Sequence, residues 1–326
     1  MLVHFFHMVH SYRHWGTKGM QDIKKNNQLK ADVMMLFVTI FWGSSYLFMK
    51  VGLDSLGDFT LIALRFGIAF LLAGLLFIKR ISKTNVKTIF YSFILGTILF
   101  IAFTALTAGM RSTAVSNTGF LVSLSVIFVP IISAVFFKQI FEKRLIIGVL
   151  TALLGIALLS LNSKLQLGPG DLLCILCALC YSFHIIITGK VTKHVDSIVL
   201  GVLQLGFCGA WGILFSFLFE TPHLPNSSAA WASILALSIF CSALAFTIQT
   251  IAQQHTTATH TGLIFSLEPI FAAIFAFVFI GETLSTRGYI GAVVVFIGIL
   301  IAEIDFSKIL VKKKVPEQST GTNLIN

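Results

Sequence analysis

The sequence predicts an all-α integral membrane protein, with ten transmembrane helices arranged as two inverted five-helix repeats. Three observations predict this fold class. The chain is 56% hydrophobic and only 11% charged, with a mean hydropathy of +0.93, a composition from which a water-exposed surface cannot be built. Its apolar residues fall in segments of about 20, the length that a helix needs to cross a hydrocarbon core of about 30 Å. The third observation is an internal repeat of the sequence.

Apolar stretches bounded by charges or turn residues define ten spans, numbered here in chain order. The connections between them are short and leave no room for a soluble domain outside the membrane. The predicted spans 1 to 5 cover residues 31–50, 59–78, 87–109, 114–137 and 144–161, and spans 6 to 10 cover residues 171–189, 198–219, 229–252, 258–280 and 288–305.

The distribution of lysine and arginine predicts the orientation. If the N-terminus is inside, the cytoplasmic segments hold 18 of the 23 basic residues, whereas the opposite side holds only Arg111, Lys164 and Arg287. Basic loops are retained on the cytoplasmic side. We therefore expect a multi-pass protein of the cell membrane with two cytoplasmic tails, 1–30 and 306–326. The net charge of +10 is then an orientation signal, and we expect no nucleic-acid partner.

The internal repeat indicates the architecture. Sliding the sequence on itself by 143 positions aligns residues 118–160 with the second half without a gap. Apolar composition alone would not readily match a Thr-Gly pair, an arginine and two glycines in register. These identities are Thr118/Thr261, Gly119/Gly262, Arg144/Arg287, Gly148/Gly291 and Gly155/Gly298.

Upstream, an offset of 139 pairs Trp42 with Tyr181 and Arg65 with Gln204, so the second half carries about four extra residues. The two repeats are then residues 31–161 and 171–305. Because five spans is an odd number, the second copy enters the membrane with the opposite orientation. Two halves related in this way can rock about a site near the midplane, as transporters do.

Several short motifs give the chain a family resemblance over about residues 31–305. They are Leu267-Glu268-Pro269-x2-Ala272, Gly281-Glu282-x-Leu284, Trp42-Gly43-Ser44, Arg65-Phe66, Asn117-Thr118-Gly119-Phe120 and Pro130. With this set the chain resembles the drug/metabolite transporter (DMT) superfamily, in its EamA-type branch of ten-helix proteins. The resemblance implies a central cavity, open to one side at a time and lined largely by spans 1, 3, 4, 6, 8 and 9. It also implies a secondary transporter, which we expect to export a small metabolite, amino acid or drug-like compound.

Glu268 is the strongest candidate for a substrate-pathway residue. It falls near the middle of span 9, where a charged carboxylate costs about 3 kcal/mol, so it should face the cavity, be paired or be protonated. The alternative is that Glu268 and Pro269 mainly shape the helix. Arg65 lies about a third of the way along span 2, and snorkelling to the interface is its alternative role.

Other polar and aromatic residues suit a weakly polar solute, yet each could equally form hydrogen bonds between helices. His184 is one turn from Tyr181 and could share the cavity or a proton path. The remaining candidates for the substrate pathway are Trp42, Tyr46, Asn117, Gln204 and Gln249. Glycine pairs seven residues apart lie on one helix face and predict close packing of spans 5 and 10. These are Gly148 with Gly155 and Gly291 with Gly298; Gly119 and Gly262 are read in the same way.

The alternative function class is a membrane-embedded enzyme acting on a lipid or isoprenoid substrate. The spans contain no His-Glu-x2-His, Asp-rich diphosphate or Gly-x-Ser-x-Gly motif, so we expect no enzyme. Cys174, Cys177 and Cys180 lie near one helix face without an apparent fourth ligand, so we expect no metal and no cofactor. The expected partners are a small-molecule substrate and the lipid bilayer, with protons as a candidate coupling ion and a homodimer as a candidate assembly.

Overall fold

The computed structural model describes residues 19–137, 143–160, 168–256, 258–265 and 267–303, and its regular elements there are all helices. Within these residues, seven helices are long and apolar enough to cross a membrane, and three shorter apolar helices correspond to spans 5, 9 and 10. The prediction of an all-α membrane protein is therefore confirmed. Much of each predicted tail, residues 1–18 and 306–326, lies outside the described residues.

The helix bounds agree with the predicted spans except at the N-terminus, where the first helix begins at Gly19 and not at residue 31. Spans 1 to 5 comprise Gly19–Leu53, Asp58–Leu76, Val86–Met110, the pair Val115–Val122 and Ser125–Phe137, and Lys143–Ser160. Spans 6 to 8 comprise Pro169–Val191, Ser197–Phe219, and Ser228–Ala236 continuing through Leu237–Leu244 into Ala245–Gln253. Spans 9 and 10 comprise the pair Ala258–Phe265 and Glu268–Ile280, and Thr286–Glu303. A short helix, Ile78–Ile81, follows span 2.

Spans 4 and 9 are interrupted at equivalent places. The second helix of span 4 begins at Ser125 and that of span 9 begins at Glu268, and these two residues are partners at the repeat offset of 143. Pro269 is tolerated there because the first turn of a helix leaves its N–H groups without intrahelical partners. The prediction of one continuous helix for each of these two spans is therefore wrong.

Span 8 contains a segment of π-helix, Leu237–Leu244, within an otherwise α-helical span. Span 8 has 26 residues, whereas its counterpart, span 3, has 25. A π segment accommodates an inserted residue without ending the helix. One of the four extra residues inferred for the second half is therefore absorbed inside the membrane.

The helices pack with a two-fold pattern. Span 2 packs on span 7 and span 5 on span 10, and each remaining major contact has a counterpart in the other half, such as span 3 with span 6 and span 8 with span 1. A Cβ atom on Gly155 would lie 2.7 Å from the Gly291 carbonyl oxygen, and one on Gly298 would lie 2.7 Å from that of Gly148. The same contact thus occurs twice with the halves exchanged.

The outside of the bundle carries large apolar side chains, among them Leu75, Leu150, Phe217 and Val278, each more than half exposed. Such a surface requires a lipid environment, because a soluble protein does not present so continuous an apolar exterior. The polar side chains of Arg65, Gln204, Gln249 and Glu268 are instead buried inside the bundle. The buried polar side chains therefore lie between the two halves of the bundle.

Candidate functional site

A small cavity of about 30 Å³ lies between the two halves. All of its lining residues come from spans 1, 3, 4, 6, 8 and 9, the same six spans that the family resemblance implies. They are Trp42, Ser45, Tyr46, Ala102, Phe103, Leu106, Val122, Cys177, Tyr181, Phe246 and Glu268. The space is enough for about one water molecule.

A hydrogen bond across the two halves dominates the chemistry of the cavity. The Tyr46 hydroxyl donates to Glu268 Oε1 at 2.5 Å, and both side chains are buried. Glu268 occupies the first turn of the second helix of span 9, where the helix dipole favours negative charge. The carboxylate therefore has one strong donor and a favourable field in an otherwise apolar surrounding.

Two glycines bring the supporting helices close enough for this bond. A Cβ atom on Gly43 would lie 2.5 Å from the Phe271 Cβ and 3.0 Å from the Ala272 nitrogen. A Cβ atom on Gly119 would lie 2.8 Å from the Ala272 Cβ. Spans 1 and 4 thus both contact span 9 within four residues of Glu268, and a side chain at either glycine would overlap span 9.

Aromatic rings form one wall of the cavity. Trp42 contacts Phe265, Phe246 and Tyr181 with ring centroids 4.9, 5.1 and 5.6 Å apart. Its indole nitrogen donates to the Cys241 carbonyl oxygen at 3.0 Å. That carbonyl lies in the π segment of span 8, so the irregular helix supplies the acceptor that fixes the ring.

Arg65 lies one layer behind this wall. Its Nε donates to the Ser242 hydroxyl at 2.7 Å and its Nη2 to the Cys241 carbonyl at 3.4 Å, and its guanidinium carbon is 4.5 Å from the centroid of Phe103. The side chain is fully buried, so the snorkelling alternative is wrong. No ion pair joins Arg65 to Glu268 among the described residues.

A second polar group lies on spans 6, 7 and 8. His184 Nε2 is 2.8 Å from Gln204 Oε1, and the imidazole stacks on Tyr181 with centroids 5.5 Å apart. Gln249 approaches the Tyr181 hydroxyl. Five buried polar atoms of this group have no hydrogen bond of good geometry in the described structure. They are the Tyr181 hydroxyl, His184 Nδ1, Gln204 Nε2, and the Nε2 and Oε1 of Gln249. Such orphaned groups can accommodate water or a polar solute.

The structure thus brings four of the nine predicted pathway residues into the cavity lining: Trp42, Tyr46, Tyr181 and Glu268. Arg65, His184, Gln204 and Gln249 lie outside the lining, and Asn117 is half-buried in the helix Val115–Val122. The other seven lining residues were missed, and six of them are apolar: Ala102, Phe103, Leu106, Val122, Cys177 and Phe246, with Ser45 the seventh. The spacing of Phe103 and Leu106 on one face of span 3 was the available signal.

Two carboxylates join the halves at one end of the bundle. This is the end with few basic residues, which the orientation prediction places outside the cell. Glu220, after span 7, accepts from the backbone N–H groups of Phe59 and Thr60 at 2.9 Å each. Glu282, after span 9, accepts from the N–H of Ser116 at 2.8 Å. Each carboxylate of the second half therefore caps a helix of the first half, and sequence reasoning did not identify either contact.

A cavity with a buried carboxylate, lying between two packed repeats of membrane helices, is typical of a membrane transporter. The sequence profile of the EamA-like transporter family matches residues 29–161 and, a second time, residues 168–303. The chain therefore belongs to the EamA-like transporter family.

Similar proteins carry transporter names. An uncharacterized transporter of Archaeoglobus fulgidus is 28% identical, over 88% of this chain and 89% of its own. The uncharacterized transporters YyaM and YoaV of Bacillus subtilis are each 24% identical, over 83% and 86% of this chain and 92% and 99% of their own. A solved crystal structure aligns with a TM-score of 0.65 at 18% identity, over 87% of this chain and 98% of its own, and shares the fold.

Proposed function

We propose that this membrane transporter is a secondary exporter of a small metabolite, amino acid or drug-like compound. In this proposal the substrate binds in the cavity between the halves, and the halves rock so that the cavity faces each side of the membrane in turn. The observation that carries the proposal is the hydrogen bond between Tyr46 and Glu268, because it places the buried carboxylate of the second half against a residue of the first half.

The volume of the cavity supports a moving mechanism. About 30 Å³ is far below the roughly 300 Å³ or more of ordinary small-molecule sites. Substrate entry therefore requires the halves to separate, and separation at the level of span 1 and span 9 stretches the Tyr46–Glu268 bond. Binding and conformational change are thereby linked through one carboxyl group.

Protons are the proposed coupling ion. A buried carboxyl group can hold a proton or a donor group of the substrate, but the charged form without either partner is costly in an apolar site. Exchange of the two occupants on opposite sides of the membrane would couple proton influx to substrate efflux. The stacked Tyr181 and His184 provide a candidate route for the proton.

Location in the cell membrane, cytoplasmic termini and assembly as a homodimer remain predictions. The concentration of basic residues in the loops on one side of the bundle supports the orientation, and cysteine labelling can test it. A cysteine introduced at Ser227, in the loop after span 7, should react with an impermeant reagent in intact cells. Reaction only after permeabilisation would contradict the orientation.

Transport itself is tested by counterflow in liposomes containing the purified protein. The panel comprises amino acids, amines, nucleosides and drug-like cations, with protein-free liposomes as the control. At least one class should exchange faster than the control, and faster efflux than influx in oriented vesicles would support export. Rates equal to the control for every class would overturn the proposal.

A further inference from the structure

A second, much larger cavity of about 390 Å³ lies at the ends of spans 2, 3 and 7. Its lining holds three cations, Lys79, Arg80 and Lys83, against one carboxylate, Asp196. Lys79 and Arg80 belong to the short helix Ile78–Ile81. The four charged side chains together leave the cavity with an excess of two positive charges.

The carboxylate does not neutralise this cluster. Asp196 Oδ2 is 3.5 Å from Arg80 Nη1, with the two side chains 41% and 47% exposed, so the pair is weak. Its other oxygen, Oδ1, already accepts the backbone N–H of Ile198 at 2.9 Å. Among the described residues, no ion pair is formed by Lys79 or Lys83.

Exposed apolar side chains fix the depth of the cavity relative to the membrane. Leu75, Leu76 and Ile78 at the end of span 2 are 57% to 71% exposed, and Val86 and Phe90 at the start of span 3 are 81% and 59% exposed. Hydrocarbon must reach these side chains, because the bundle leaves them uncovered. The cations between them therefore lie at the level of lipid headgroups.

The geometry points to a binding site for the phosphate group of an anionic phospholipid, held by Lys79, Arg80 and Lys83 with its acyl chains against Leu76 and Phe90. The cavity offers positive charge for the phosphate, and the apolar side chains beside it offer contact for the chains. Basic pockets between membrane helices recognise lipid headgroups through this combination. A soluble phosphate would gain only the first of the two interactions.

The site spans the seam between the two repeats, because Arg80 belongs to the first half and Asp196 to the second. A lipid phosphate and the Asp196 carboxylate compete for the same guanidinium. Replacing Asp196 by asparagine removes the competitor but keeps the cap of span 7, since asparagine caps helices as well as aspartate does. Loss of the carboxylate strengthens lipid binding, whereas loss of a lysine weakens it.

A simpler explanation of these lysines is that they only orient the chain during insertion. That explanation requires no occupant of the cavity, and it predicts no dependence of lipid binding on Asp196. The two explanations can therefore be separated on the folded protein by binding alone, whether or not the transport proposal is correct.

The experiment is native mass spectrometry of the delipidated full-length protein in neutral detergent. The protein is titrated with phosphatidylglycerol, with phosphatidylcholine of the same acyl chains, and with glycerol phosphate as the soluble arm. The variants are Lys79→Gln, Lys83→Gln and Asp196→Asn. The matched control is Lys193→Gln, which changes an exposed lysine on the same predicted side that does not line the cavity.

Phosphatidylglycerol should bind more tightly than phosphatidylcholine, and each lysine variant should weaken it about fivefold, since a lysine near the lipid surface contributes about 1 kcal/mol. Asp196→Asn should tighten binding, and Lys193→Gln should leave it unchanged. Equal binding of the two lipids, no effect of the lysine variants, or displacement of phosphatidylglycerol by equimolar glycerol phosphate would each overturn the proposal. Melting temperatures of all variants exclude unfolding as the cause.

Discussion

The two halves of the molecule share their packing but not their chemistry. At equivalent positions the first half has Trp42, Arg65 and Ser125 where the second half has Tyr181, Gln204 and Glu268. Yet the close contact that Gly155 of span 5 makes with Gly291 of span 10 is repeated by Gly298 of span 10 with Gly148 of span 5. The repeat thus preserves the residues that determine how helices approach each other, whereas the polar residues between them have diverged.

This difference separates residues that build the bundle from residues that we propose to act in transport. A two-fold bundle with identical halves would offer the same groups to both sides of the cavity. Here the second half contributes the carboxylate of Glu268 to the cavity lining, and the first half contributes the indole of Trp42. Behind the lining, the guanidinium of Arg65 comes from the first half and the imidazole of His184 from the second. An asymmetric site can bind one end of a solute differently from the other.

The largest expected effect concerns the shared packing. Gly155→Val and Gly298→Val should each lower the free energy of unfolding by about 3 kcal/mol, because the added side chain overlaps the backbone of the opposite span. The two losses should agree to within about 1 kcal/mol. Thermal unfolding in detergent, followed by size-exclusion fluorescence, measures both, and a loss at only one of the glycines would break the two-fold relationship.

A smaller effect is expected at a diverged pair. Arg65→Gln, which installs the residue of the second half, should destabilise the protein by about 2 kcal/mol, because the charged hydrogen bonds to Ser242 and Cys241 are lost. Gln204→Ala should cost about 1 kcal/mol, since it removes only the bond to His184. Equal losses in chemical unfolding would contradict the assignment of Arg65 as a structural support of the wall.

The two tyrosines of the cavity sharpen the comparison further. Tyr46→Phe should slow transport about tenfold, because a hydrogen bond to a charged group contributes about 1.5 kcal/mol or more. Tyr181→Phe should leave stability unchanged, since its hydroxyl has no hydrogen bond of good geometry. Flux and melting temperature are measured on both variants, and identical behaviour would show that the Tyr46 bond has no special role.

The smallest effect concerns a pair of equivalent glycines in spans 2 and 7. A Cβ atom on Gly67 would meet nothing within 4 Å, whereas one on Gly206 would lie 2.8 Å from the Phe70 ring. Gly67→Ala should therefore change stability by under about 0.5 kcal/mol, while Gly206→Ala should cost about 1 kcal/mol. Melting temperatures of the two variants test whether this contact is as asymmetric as the structure indicates.

Sequence reasoning identified the polar side of the site and missed most of its apolar side. Glu268 stands out because a carboxylate in the middle of an apolar run requires an explanation, and the repeat drew attention to Trp42 and Tyr181. The spacing of Phe103 and Leu106 on one face of span 3 is a weaker signal, because an apolar side chain can face lipid as readily as a cavity.

The irregular helices were equally hidden. The π segment Leu237–Leu244 differs from an α-helix by one residue per turn and leaves the composition unchanged. In span 4 the interruption precedes Ser125, although the proline of that span is Pro130, so the proline did not mark the break. Backbone geometry of this kind depends on the packing of neighbouring helices rather than on local preference.

The role of the Glu268 carboxyl group is tested most directly by flux in liposomes at several pH values, with Glu268→Gln compared with Pro269→Ala. Glutamine keeps the size of the side chain and one acceptor but cannot exchange a proton. Asp54→Asn, at an exposed position after span 1, is the matched control for loss of a carboxylate.

With rates normalised to folded protein, Glu268→Gln should reduce transport at least about tenfold or abolish its pH dependence, while Pro269→Ala and Asp54→Asn stay close to the unmodified protein. Normal transport by Glu268→Gln together with a damaged Pro269→Ala would contradict the account, since the two residues would then serve only to shape span 9.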